Sequence, residues 1–206
     1  MATAIGITGQ MGSGKTRMAE TFAGYLSRKN IRVRIISVDR IRRHLMTASP
    51  GHVSLRENVS RHFGVPLEAG AFDLQRLAAA VFREDQGPPS FWRLAGGDIV
   101  AAAKEEMRGD GFFLLEWARL VEDGFLPLLA GVIVTDCAPA VRQRRLANGD
   151  LPPEQVRKRV SLQMSAADVT RALKEQSKKF WIFDTTGSPD AGVYHKFYEE
   201  VLHEIG

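Results

Sequence analysis

The segment Gly9-Gln10-Met11-Gly12-Ser13-Gly14-Lys15-Thr16 constrains this chain more than any other. It has the spacing G-x-x-x-x-G-K-S/T, follows the apolar run Ile5-Gly6-Ile7, and opens a stretch in which Met18, Phe22 and Leu26 repeat at helical spacing. A strand must therefore pass through a glycine-rich turn into an amphipathic helix. Gly9, Gly12 and Gly14 permit positive backbone dihedrals, so successive N–H groups from Gly9, Gln10, Met11, Gly12, Ser13 and Gly14 can turn inward as an anion nest at the helix N-terminus. Such a nest suits the β-phosphate of a nucleotide. The Lys15 ammonium then spans the β- and γ-phosphates, and the Thr16 hydroxyl takes one coordination position on Mg²⁺.

The rest of the chain reads as an α/β fold built on that unit. A second strand is predicted over 31–36, ending at Ser37-Val38-Asp39 and turning into the basic stretch Arg40 to His44. Ligands of open α/β sheets bind outside the carboxyl ends of strands, which puts Asp39 at the same crevice as the glycine-rich loop. Its plainer alternative is a helix N-cap. Residues 40–110 carry helical patterns broken by Gly and Pro and no convincing strand, so they predict an inserted helical region, with helices over 73–82 and 98–107 separated by Arg83 to Pro89. Phe112 to Leu115 ending at Glu116, and Val132 to Thr135 ending at Asp136, read as buried strands of a parallel sheet. From 139 to 180 the chain is helical and rich in Arg and Lys, interrupted at Gly149 and Pro152-Pro153, as a basic lid would be. Trp181 to Phe183 is a last strand leading into Asp184-Thr185-Thr186-Gly187, and Val193, Phe197, Val201 and Ile205 mark a closing helix. The prediction is a single domain over 1–206 with the three-layer P-loop NTPase architecture: a central parallel sheet, a helical insertion and a helical lid.

Composition narrows the partners. A chain of 206 residues with net charge +4 favours anionic partners without deciding between nucleotides and nucleic acid. Met1-Ala2-Thr3 leads directly into the first strand and no apolar run approaches the roughly 18 residues of a membrane span, so a cytoplasmic protein with no membrane partner is expected. The single cysteine, Cys137, agrees with a reducing compartment and reads as packing. The 5 histidines have no metal-ligand spacing, and Trp92, Trp117 and Trp181 make no aromatic-basic ladder, so no nucleic acid is expected. Oligomeric state is left open.

A GTPase would carry an N-K-x-D guanine signature, which is absent from the sequence. A small kinase needs an acid near the acceptor hydroxyl, a basic lid and a separate acceptor region, and all three have candidates. Glu116, at a strand end, is placed to join Thr16 at the metal in the manner of a Walker B acid. Fork-shaped guanidinium groups suit spread phosphate charge, which selects Arg145 and Arg159 in the lid. Arg43, one turn beyond Asp39, is a candidate for an acceptor phosphate, while Arg40 and Arg42 read as solvated.

These segments together resemble the dephospho-CoA kinase family. The likeness runs through Ile5 to Thr16, Val38-Asp39 with Arg43, Phe63-Gly64, Gly70 to Asp73, Val81-Phe82, Asp136-Cys137 with Arg145-Leu146, Glu154-Gln155, Arg159-Val160 with Gln163, and Asp184 to Gly187. The resemblance implies transfer of a phosphoryl group from ATP, with Mg²⁺, to the 3′-hydroxyl of dephospho-CoA. With the chemistry above, it gives Lys15, Asp39 and Arg145 as catalytic residues, Asp39, Arg43 and Arg159 at the acceptor, and Asp184 and Gly187 beside the adenine. Thr16 and Glu116 at the metal rest on the motif and the strand end alone, where Glu116 has the plainer alternative of ending the strand. Four departures stand out: Ser37 replaces the first acid of a D-x-D strand end, Ala95 to Asp98 replaces a His-Pro element, Ala118 to Glu122 stands for Pro-Leu-Leu-Phe-Glu, and Gly149 replaces a lid arginine. They leave open a nucleoside, nucleotide or other small-metabolite acceptor, or a nucleotide-binding regulator that phosphorylates nothing.

Overall fold

The computed structural model describes residues 2–83, 86–149, 153–187 and 189–205. In chain order its elements are β1 (Ala2–Thr8), α1 (Lys15–Arg28), β2 (Val33–Ser37), α2 (Val38–Thr47), α3 (Val53–Phe63), α4 (Leu74–Val81), α5 (Gly87–Glu106), β3 (Gly111–Glu116), β4 (Gly131–Asp136), α6 (Pro139–Ala147), α7 (Pro153–Ser161), α8 (Ala166–Glu175), β5 (Phe180–Asp184) and α9 (Ala191–Ile205). They form two compact units, one of residues up to Ile36 and from Met107 on, the other Ser37–Glu106.

The first unit is organised by a five-stranded sheet in the order β2-β3-β1-β4-β5. β1 pairs in parallel with β3 on one side and β4 on the other, and β4 pairs in parallel with β5. This is the sheet the sequence predicts. Side chains alternate across it: Ile5, Ile7, Phe112, Leu114, Ile133, Trp181 and Phe183 share one buried cluster with Met18, Phe22 and Leu26 of α1 and Tyr194, Tyr198 and Val201 of α9. Phe22 and Tyr198 stack with ring centroids 4.3 Å apart at 3°. A Cβ added to Gly6 would lie 2.6 Å from Leu129 and 2.7 Å from Leu120, so these leucines cover the opposite face closely. Val169 and Leu173 of α8 are buried, and α8 packs against β4. Helices thus flank the sheet in three layers.

Two boundaries in this unit differ from the sequence expectation. The second strand begins at Val33 instead of Ile31, because the Ile31 N–H closes the end of α1 by donating to Leu26 O at 3.0 Å. The closing helix buries most of the expected stripe and widens it: Val201 is fully buried and Phe197 and Ile205 pack against the core, but Val193 is 50% exposed, and Tyr194 and Tyr198 join the buried face. Aromatic rings reach the sheet where the aliphatic side chain at the helix start does not.

In the second unit, α5 packs against α2, α3 and α4. It spans 87–106, where a helix over only 98–107 is expected from the sequence. Pro88 and Pro89 fall in its first turn, where a missing N–H costs nothing, so the Gly-Pro-Pro run starts the helix instead of breaking it. The expected boundary residues Glu84 and Asp85, and Asp150, Leu151 and Pro152 of the basic region, lie outside the described residues. Arg56 is 5% exposed, and its guanidinium donates to Gly70 O at 2.6 Å, Ser49 O at 2.7 Å and Leu45 O at 3.0 Å. It ties the end of α2 to the turn before α4. Asp73 caps α4 by accepting from the Gln75 and Arg76 N–H groups. Among the described residues no helix is long and apolar enough to cross a membrane.

Candidate active site

The glycines of the loop take the positive φ expected of them, but two N–H groups expected in the anion nest are given to the protein instead, that of Met11 to Gln163 Oε1 at 2.8 Å and that of Ser13 to Gln10 O at 3.0 Å. Gly9, Gly12 and Gly14 take φ values of +139°, +82° and +91°. Gly14 is the N-cap of α1 and contributes no side-chain hydrogen bond, which leaves the first N–H groups of the helix to an anion. Space demands glycine as well as dihedral freedom. A Cβ on Gly9 would stand 2.3 Å from Thr135 O, and one on Gly12 would stand 2.9 Å from Arg142 Cγ and 3.0 Å from Leu146 Cγ. The loop is closed internally by Ser13 N donating to Gln10 O at 3.0 Å, and Lys15 Nζ reaches the same carbonyl at 3.2 Å. Buried Ser13 shares a 2.7 Å hydroxyl contact with Thr135, whose own hydroxyl donates to Thr8 O at 3.0 Å.

Beside the loop, the Thr16 hydroxyl donates to Glu116 Oε1 at 2.6 Å. β3 carries Glu116 to this point because it runs parallel to β1, with Glu116 in register with Ile7. The two residues assigned to a metal from sequence are therefore brought together. Both present oxygen, the donor that Mg²⁺ prefers, and no group of three or more His, Cys, Asp or Glu forms a metal cage among the described residues. A pair of protein oxygens fits an ion that takes its remaining ligands from phosphates and water.

Arg145, on α6, lies across the loop. Its guanidinium donates to Gly12 O at 3.3 Å, to Thr185 Oγ1 at 3.0 Å and to Thr185 O at 2.6 Å. It thus fastens the phosphate loop to the segment after β5. In that segment Asp184 Oδ1 accepts the Thr186 N–H at 2.8 Å, and the hydroxyl and N–H of Thr186 hold the Asp184 carboxyl below its usual range. A Cβ on Gly187 would meet open space. Cys137 is buried, as its packing role requires. Arg159 is half-buried on α7.

Within the second unit, Asp39 is exposed in the first turn of α2, and the N-cap is Ser37, whose hydroxyl accepts the Arg40 N–H at 3.4 Å. The capping alternative for Asp39 is thereby removed, and the serine that departs from the family's D-x-D has a local task. The partner of Asp39 is Arg42, at 3.0 Å, and Arg40 pairs with Glu106 at 2.5 Å. Arg43, the candidate chosen from sequence, is exposed.

Sequence reasoning passed over Gln163, Arg142, Thr135 and Thr185. Gln163 Oε1 accepts the Met11 N–H at 2.8 Å and its carbonyl accepts from Gln10 Nε2 at 3.3 Å, while Arg142 donates to Gln10 Oε1. Thr185 Oγ1 donates to Ser13 O at 2.8 Å. For Gln163 and Thr185 the only signal was their place among the family-like segments; for Thr135, near the end of β4, there was none.

A sequence profile for CoaE, dephospho-CoA kinase, matches residues 3–176. A dephospho-CoA kinase of Corynebacterium diphtheriae is 31% identical over 197 residues, covering 90% of each chain. One of Mycobacterium tuberculosis is 29% identical over 195 residues, 90% of this chain but 44% of that protein. Among solved structures, TT1252 from Thermus thermophilus superposes with a TM-score of 0.71 at 22% identity, over 100% of this chain and 98% of the other, a likeness of fold.

Proposed function

This chain belongs to the dephospho-CoA kinase family, and on that premise we propose that it transfers the γ-phosphoryl group of ATP to the 3′-hydroxyl of dephospho-CoA. The observation that carries the reading is the Thr16–Glu116 contact beside a loop whose glycines hold positive φ, since it combines a phosphate nest with a metal-ready oxygen pair in one unit. In the reaction the 3′-oxygen forms a bond to the γ-phosphorus, the bond to the β–γ bridging oxygen breaks, and ADP leaves with that oxygen. Lys15 neutralises charge that grows on the β- and γ-oxygens. Thr16 and Glu116 would hold Mg²⁺, which when bound supplies charge neutralisation and orientation of the phosphates.

We assign Asp39 the proton of the attacking hydroxyl. Support comes from its position one residue past the family-like Val38, its exposure, and the freedom that Ser37 gives it by taking over the cap. Arg43 and Arg159 are assigned to acceptor phosphate, and Arg145 to both loop geometry and transition-state charge. Asp184 and Gly187 are assigned to the adenine side. We place the protein in the cytoplasm, where ATP is at hand and a free Cys137 stays reduced.

Asp39→Asn tests the assignment. Turnover should fall by about 10²–10⁴-fold, the range for removing a general base, with ATP binding by calorimetry within about twofold of wild type. Full turnover in this variant removes Asp39 from the chemistry.

A further inference from the structure

Gln163 sits in the short linker between α7 and α8 and makes two contacts to neighbouring positions of the phosphate loop: its side-chain oxygen to the Met11 N–H at 2.8 Å, and its carbonyl to the Gln10 amide at 3.3 Å. The residues on either side of it are also held. Leu162 O accepts from Arg119 at 2.5 Å, and the Met164 N–H donates to Glu122 Oε1 at 3.2 Å. Both anchors come from the segment that follows β3. Arg119 is in turn fixed by Asp123, at 3.2 and 3.3 Å, and Asp123 also accepts the Trp117 indole N–H at 2.7 Å. Trp117 itself donates its backbone N–H to Ile7 O at 3.1 Å, which ties the series back to β1, immediately before the loop.

We propose that Gln163 is a positioning residue for nucleotide binding, held by a platform of Trp117, Arg119, Glu122 and Asp123 so that the backbone at Gln10 and Met11 is fixed in place before ATP arrives. The physical basis is preorganisation. A loop rich in glycine loses much conformational freedom when it closes on a ligand, and contacts that fix it beforehand reduce that loss. Gln163 meets this need with an uncharged acceptor, which orders a loop amide without placing a negative charge beside the phosphates. Glu122 stands one step back: its Oε1 holds the Met164 N–H, and its buried Oε2 has no hydrogen-bond partner among the described residues. Its contribution is to the linker and not to the nucleotide.

The inference rests on the kinase reading only in taking the loop to bind ATP, so its test is run without an acceptor. Binding of Mg²⁺ and a non-hydrolysable ATP analogue is measured by calorimetry for wild type, Gln163→Ala, Glu122→Ala, the double variant and Glu122→Gln. Gln163→Ala should weaken binding by about 10-fold, as loss of a hydrogen bond to a partly buried amide does. Glu122→Ala should weaken it less, and the double variant should bind no worse than Gln163→Ala alone, because both act along one path. Glu122→Gln, which keeps the oxygen facing Met164, should bind within about twofold of wild type. In turnover, KM for ATP should rise while KM for the acceptor stays unchanged, a split that a general loss of folding does not produce. If Gln163→Ala fails to fold, Gln163→Asn serves, its amide being one carbon too short to reach Met11. Unchanged or tighter analogue binding in the Gln163 variants, or additive effects of Ala at 122 and 163, would overturn the proposal. Failure of the wild type to phosphorylate dephospho-CoA would leave the binding result standing.

Discussion

The Thr16 hydroxyl donates to Glu116 Oε1 at 2.6 Å, across 100 residues of sequence, because β1 and β3 are parallel neighbours whose carboxyl ends finish side by side. The pair presents two oxygens to one point. Glu116→Gln keeps the shape and removes the charge, so it should raise the Mg²⁺ concentration for half-maximal activity by about 10-fold, in line with the worth of a charge-assisted contact. A magnesium titration at saturating ATP reads this directly. An unchanged midpoint would move the metal elsewhere.

Steric room makes opposite forecasts for two glycines. Gly12→Ala places a Cβ 2.9 Å from Arg142 Cγ at a φ of +82°, so it should lose about 1–2 kcal/mol of stability from the backbone alone and weaken ATP binding with it. Gly97, inside α5, would meet nothing within 4 Å, and Gly97→Ala should stabilise by about 0.5–1 kcal/mol. Denaturant unfolding of both variants gives the comparison.

Arg145 serves four acceptors with one planar fork, at Gly12 O, Cys137 Sγ, Thr185 Oγ1 and Thr185 O. Lysine has a single ammonium and cannot span them. Both Arg145→Ala and Arg145→Lys should therefore lower kcat/KM for ATP by about 10-fold or more, a loss set by hydrogen bonds to a charged group. Recovery of wild-type values by lysine would show that charge alone suffices.

Burial pushes the Glu122 carboxyl above its ordinary value of 4.5, and burial likewise raises Asp123. A raised acid binds its proton more tightly when folded, so the folded state holds more protons than the unfolded one between the ordinary and the raised pKa, and stability falls as pH rises through that window. Glu122→Gln has no such proton to lose. Its stability relative to wild type should improve progressively as pH rises above 4.5, measured by denaturant unfolding across pH 4 to 7. A pH-independent difference would show that Glu122 is not desolvated in the fold.

Much of the architecture was legible because strong local signals coincided. Ile5 to Thr16 joins strand, nest and helix in one run, and Glu116 and Asp136 stand at strand ends just where the buried runs stop. What escaped depends on contacts that local patterns do not encode. Tyr194 and Tyr198 join Phe197, Val201 and Ile205 on the buried side while Val193 is left exposed, because stacking on Phe183 and Phe22 is a tertiary choice. α5 begins at Gly87 because Pro88 and Pro89 occupy a first turn, which reads from sequence as a break. In the site, Lys15, Thr16 and Glu116 were accessible through motif chemistry, whereas Gln163 reaches Met11 from 152 residues away and belongs to no motif with a stated mechanism. Arg42, read from sequence as solvated, instead pairs with Asp39 at 3.0 Å, because a three-residue spacing brings the two side chains together on the helix surface.

Direct product analysis is the sharpest measurement. The protein is incubated with Mg·ATP and dephospho-CoA, with nucleosides and nucleotides in parallel, and products are followed by mass spectrometry and phosphorus NMR. Phosphoryl transfer to the 3′-oxygen of dephospho-CoA, matched by ADP and lost in Lys15→Ala, is the expected result. Formation of ADP with the phosphoryl group on a nucleoside or nucleotide, and none on dephospho-CoA, would contradict it.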